Sequence, residues 1–118
     1  MTLVTLVAGS GPDMRESAIA ERMTKLMHSD ATTALILEGM PIDALNFDPS
    51  VQVVRLAPGC PCCTGNLVMR VTLNRILRKP PSQLFISIAN EAHIDNLRNF
   101  LTQSPYDTLI TLDDDLLI

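Results

Sequence analysis

Long apolar runs are missing from this chain of 118 residues. A helix that crosses a bilayer needs about 20 consecutive apolar residues, and nothing here approaches that, so no membrane partner is expected. The stretch Leu3–Ala8 is too short for the core of a secretion signal and has no basic flank before it. Aromatic residues are scarce, at 3%, which removes the stacking platforms that grip single-stranded nucleic acid. Positive charge is the minority sign, with 9 Lys and Arg against 13 Asp and Glu and a net charge of −4. No electrostatic footprint for a phosphate backbone results, so no nucleic-acid partner is expected. Internal repeats, low-complexity tracts and linkers are also absent, and the length suits a single domain over residues 1–118.

What is present is a hydrophobic content of 47%, which supports a packed core and argues against disorder. All three cysteines fall within four residues, Cys60-Pro61-Cys62-Cys63, between glycines at 59 and 65 that let the backbone bend. Without a secretion signal the chain is expected in the cytoplasm, where thiols stay reduced. Clustered cysteines there point to metal or redox chemistry more readily than to a disulfide framework. Thiolates are soft ligands, and this spacing can aim several sulfurs at one ion. The leading expectation is therefore that Cys60, Cys62 and Cys63 hold zinc or another thiophilic divalent ion, as a small metal-binding protein would. Three sulfurs leave a place for a fourth ligand. Glu38 is the first candidate and His93 the next, while a second chain or water would also serve. His28, near the end of the first helix and expected at the opposite edge, reads as structural or solvent-facing. A thiol-redox role is weaker, because Cys62 and Cys63 are adjacent and a disulfide between neighbours is strained. Three structural or idle cysteines are the plainest alternative.

Short apolar runs alternate with segments of helical period. Leu3–Ala8, Thr33–Leu37, Val51–Leu56, Leu84–Ala89 and Thr108–Leu112 read as strands. Asp13 and Glu16 form a capping box for a first helix with Ile19, Met23, Leu26 and Met27 on its apolar face. A second helix spans about Gly65 to Arg78 and stops at Lys79-Pro80-Pro81. A third carries Ile94, Leu97 and Leu101. This alternation predicts an α/β fold, a three-layer αβα sandwich on a mostly parallel sheet with the first strand central. Ligands gather at the carboxyl ends of such strands. The loops after Ala8, Leu37, Leu56 and Ala89 should open there, with the cysteine loop close to Gly9–Gly11. Arg70, Arg75, Arg78 and Lys79 read as a solvated helix end that complements the helix dipole, ahead of an anion or partner site. Asp113-Asp114-Asp115 reads as a solvated turn.

Gly9-Ser10-Gly11 sits where a phosphate-binding loop would, between a strand and a helix. A working loop continues with Lys and then Ser or Thr; Pro12 and Asp13 stand there instead, removing a backbone donor and adding a negative charge. As a tight turn into a helix the segment makes full sense. GTP or ATP hydrolysis is not expected, and no catalytic residue is assigned.

With these residues in place, the chain resembles the CobW family of metal-trafficking P-loop GTPases. Gly59-Cys-Pro-Cys-Cys-Thr64 matches that family's metal loop residue for residue. Gly9-Ser10-Gly11 matches the middle of its phosphate loop, and Glu38-Gly39 with Ile42-Asp43 looks like a shortened switch segment. The resemblance implies a P-loop-like α/β domain, metal handling, and descent from a GTPase. The family's Glu-Thr-Ser-Gly segment and its guanine-reading Asn-Lys-x-Asp are missing, and so is its carboxyl-terminal domain. The implied product is a degenerate relative that keeps the metal loop without the nucleotide machinery. Residual nucleotide binding, self-association, or a non-catalytic scaffold for a full-length GTPase relative remain the alternatives.

Overall fold

A computed structural model describes residues 2–9, 11–26, 32–39, 47, 49–56, 67–103 and 105–118, the side chains of 25 and 26 excepted. Six strands form one sheet: β1 (Thr2–Ala8), β2 (Thr33–Glu38), β3 (Gln52–Leu56), β4 (Gln83–Ile88), β5 (Ile110–Leu112) and β6 (Leu116–Leu117). The helices are α1 (Pro12–Leu26), α2 (Leu67–Ile76), α3 (Ile94–Leu101) and the single turn α4 (Tyr106–Leu109), with a 3-10 turn at Glu91–His93 before α3. The sheet order is β3-β2-β4-β1-β5, and β6 also pairs with β1. Every one of these pairings is parallel.

Strands buried on both faces explain the unbroken apolar runs in β1, β2 and β4. One face packs Val4, Leu6, Ile36 and Ile86 against Met69, Leu73 and Ile76 of α2 and Leu97 and Leu101 of α3. The other packs Val7, Leu35, Leu37 and Phe85 against Ile19 and Met23 of α1. The result is the expected three-layer α/β sandwich. No helix among the described residues is long and apolar enough to cross a membrane.

Several local expectations need correction. The first strand is interior but not central; β4 occupies the middle of the five-strand order. The first helix begins at Pro12, whose missing N–H is harmless in a first turn, and Arg15 N donates to Gly11 O. Asp13 therefore lies inside the first turn, and both Glu16 carboxylate oxygens accept from Arg55 rather than closing a capping box. The last predicted strand is shortened because residues 106–109 coil into α4. Beyond it, Asp113 N donates to Val4 O and the chain resumes pairing as β6, so β1 has partners along most of its length. Asp115 pairs with Arg98, an internal tie that the reading of a solvated turn missed.

Tyr106 is buried, and its hydroxyl donates to Asn74 Oδ1 at 3.0 Å. Burial raises its pKa above 10.0, with the nearby Arg70 charge opposing. A raised folded-state pKa stabilises the fold fully below the unfolded value, and this is lost as pH climbs through the folded one. Tyrosinate absorbance should thus appear at higher pH in folded than in urea-unfolded protein, and stability should fall as pH rises past 10.0. Tyr106 is the only tyrosine, so the titration is unambiguous. Coincident curves in the two states would contradict its burial.

Candidate functional site

Because the strands are parallel, the ends of β1, β2, β3 and β4 meet one edge of the sheet. The chain turns sharply there at Gly9 (φ 99°) and Gly39 (φ 90°), both in the left-handed region that favours glycine. Gly39 N donates to Leu56 O at 2.9 Å, tying the exit of β2 to the end of β3.

The centre of this edge is Arg15, one turn into α1 and only 1% exposed. Its Nε donates to Ser87 Oγ at 2.7 Å, one terminal nitrogen to Gly9 O at 3.2 Å, and the other to Glu38 O at 3.0 Å. One guanidinium thus bridges the ends of β1, β2 and β4. Burial pulls its pKa below the ordinary arginine value, while the charges of Glu38 and Glu16 push it back up. Glu38 is 4% exposed, and its Oε1 accepts from Ala89 N at 2.9 Å. Next to Arg15 in sequence, Glu16 forms a two-pronged pair with Arg55 of β3 at 2.9 and 3.0 Å. That hydrogen bond raises the pKa of Arg55, and fork-to-fork geometry of this kind is the strong form of the interaction.

The glycine turn is built for close backbone approach. A Cβ on Gly9 would lie 2.6 Å from Ile118 O and 3.0 Å from Glu91 Oε1, and Ile118 N donates to Ala8 O. A side chain at position 9 would therefore run into this chain's own backbone and a carboxylate. Gly11 has open space where its Cβ would be. Gly9→Ala should therefore cost about 2–4 kcal/mol, combining backbone strain with overpacking. Gly11→Ala, a change at the helix cap, should cost less than about 1 kcal/mol. Urea unfolding of the two variants checks this; equal losses would mean the Gly9 turn is not closed over as described. Ser10, the middle residue of the turn, lies outside the described residues.

Cys60, Cys62 and Cys63 also lie outside them, as do His28, Ile42 and Asp43. Among the described residues no group of three or more His, Cys, Asp or Glu side chains could hold a metal ion. Of the suggested fourth ligands, Glu38 stands at the carboxyl edge directly beside Leu56, its partner in the β2–β3 register. His93 ends the 3-10 turn that follows β4, and its backbone N–H donates to Asn90 O. The expected closeness of Gly9–Gly11 to the cysteine loop falls on residues outside the described ones; only the end of β3 at Leu56 is placed. The strand β3 is separated from β1 by β2 and β4, a lateral distance of about 14 Å at ordinary strand spacing. Sequence reasoning missed Arg15 and Ser87 altogether. The only signal for Arg15 was a cation at a helix position that α1 turns toward the sheet.

No protein-family model matches the chain, and no curated protein or solved structure matches it significantly.

Proposed function

We propose that the chain binds a thiophilic divalent metal ion, zinc being the leading candidate, through the thiolates of Cys60, Cys62 and Cys63. The reading makes it a degenerate CobW-like metal-binding domain, a metallochaperone or other contributor to metal homeostasis rather than an enzyme. The observation that carries it is the placing of all three cysteines in Gly59-Cys-Pro-Cys-Cys-Thr64. Strand register supports the fourth ligand: residue 57 follows directly on Leu56, which pairs with Glu38. The carboxylate of Glu38 accepts one backbone N–H through Oε1, and metal-bound carboxylates are commonly hydrogen-bonded in this way. Pro12 and Asp13, standing where a phosphate loop has Lys and then Ser or Thr, weigh against the nucleotide-binding alternative.

Cobalt(II) tests the proposal. Reduced protein titrated with Co²⁺ should develop thiolate charge-transfer absorption, weaker at lower pH because the thiols must lose protons on binding. Each single Cys→Ser variant should shift or weaken the band, and the triple variant should lose it. Glu38→Gln should alter the ligand-field bands while leaving the charge-transfer band in place. Absence of the band in the parent, with zinc uptake no tighter than in the triple variant, ends the metal reading.

A further inference from the structure

On the sheet face away from α1, a cleft of about 220 Å³ opens between α2, α3 and α4. Arg70, Asn74, Phe100, Gln103, Pro105 and Tyr106 line it. Phe100 and Tyr106 are buried at its base, while Arg70, Asn74, Gln103 and Pro105 are exposed at its rim. The rings of Phe100 and Tyr106 lie 5.0 Å apart at 49°. The Arg70 guanidinium lies over the Phe100 ring, 5.7 Å from its centroid. Laid against the ring, that group keeps its N–H edges available, and it makes no ion pair with any described residue. Asn74 Oδ1 already accepts from Tyr106, which leaves its amide nitrogen as a donor. Gln103 adds a second amide, and none of the described lining residues is acidic.

The cleft therefore offers one cation, amide donors and an apolar wall, on a scale below the ~300–1,000 Å³ of sites for drug-sized ligands. We propose that it binds a small organic oxyanion, a carboxylate or phosphate monoester on a compact apolar body. Arg70 pairs with the anionic head, Asn74 and Gln103 complete its hydrogen bonds, and Phe100, Pro105 and Tyr106 cover the body. The inference is independent of the metal proposal, since it uses none of the same residues.

The chain contains one tyrosine and no tryptophan, so its intrinsic emission reports on this cleft. Cyclohexanecarboxylate, cyclohexyl phosphate and the neutral cyclohexanecarboxamide, all transparent where tyrosine absorbs, are titrated into the full chain. At least one anion should change Tyr106 emission saturably, with a Kd of about 1 mM or below and at least about tenfold tighter than the carboxamide. The tighter of the two anions identifies the head group. Arg70→Gln should weaken that binding about tenfold or more, whereas Arg75→Gln, on the same helix but not among the cleft's described lining residues, should leave it within about twofold. No saturable change with either anion, carboxamide binding as tight as theirs, or full affinity in the Arg70 variant would each overturn the proposal.

Discussion

Replacing Arg15 with methionine should destabilise the fold by about 3–5 kcal/mol, the range for removing one partner of a buried charge cluster. Methionine keeps much of the side-chain volume, so the loss would reflect charge and hydrogen bonding rather than a cavity. Three acceptors lose their donor at once: Gly9 O, Glu38 O and Ser87 Oγ. Glu38 and Glu16, both nearly inaccessible to water, lose a neighbouring cation. Leaving buried polar groups unmet carries most of their desolvation penalty. Arg15→Lys should recover only part of the loss, because an ammonium cannot span three strand ends as a planar fork does. Urea unfolding midpoints decide the matter. A methionine variant within about 1 kcal/mol of the parent would mean water replaces the guanidinium without cost.

Phe85→Ala should be comparably severe, at about 3–5 kcal/mol. Phe85 is 1% exposed on the middle strand β4, facing Ile19 and Met23 of α1 and Val7, Leu35 and Leu37 of the sheet. This is the smaller of the two apolar clusters, and Phe85 is its bulkiest fully buried member. Its loss would loosen α1, the helix that carries both Arg15 and Glu16. Hydrogen exchange should therefore accelerate in α1 more than in α2 and α3, which attach to the opposite face. Uniform acceleration across all helices would indicate that the two faces unfold as one unit. Leu97→Ala on that opposite face is the matched comparison.

The strands were legible because burial on both faces leaves a direct trace, a short run of apolar and β-branched residues between turn signals. Thr2–Ala8, Thr33–Glu38 and Gln83–Ile88 all lie within one residue of the runs that announce them. Parallel pairing followed from the helices between strands, and with it the gathering of loop ends at one edge. The cysteine cluster suggests metal chemistry for a different reason: thiolates close in sequence are candidate ligands for one ion whatever the strand order.

Lateral position was not legible. Nothing in the runs themselves says that β4 separates β1 from β2, since apolar strands of similar length pair interchangeably until helices and connections select an order. That order sets Leu56 beside Glu38 and away from Gly9. The purpose of Gly9 was equally hidden, because the backbone at Ile118 that excludes a side chain there is 109 residues further along the chain. Arg15 is the clearest case. In sequence it is one charged residue in the first turns of an amphipathic helix, where solvent exposure is the ordinary expectation. Its burial is tolerable only because Gly9 O, Glu38 O and Ser87 Oγ, from three separate strand ends, converge on one guanidinium. The sequence by itself determined the layers and the parallel sense, both written in local composition, and it is the source of the metal proposal through the spacing of its cysteines. Tertiary structure alone decided the strand order and the buried charge cluster, because both depend on groups that only the folded chain brings within hydrogen-bonding distance.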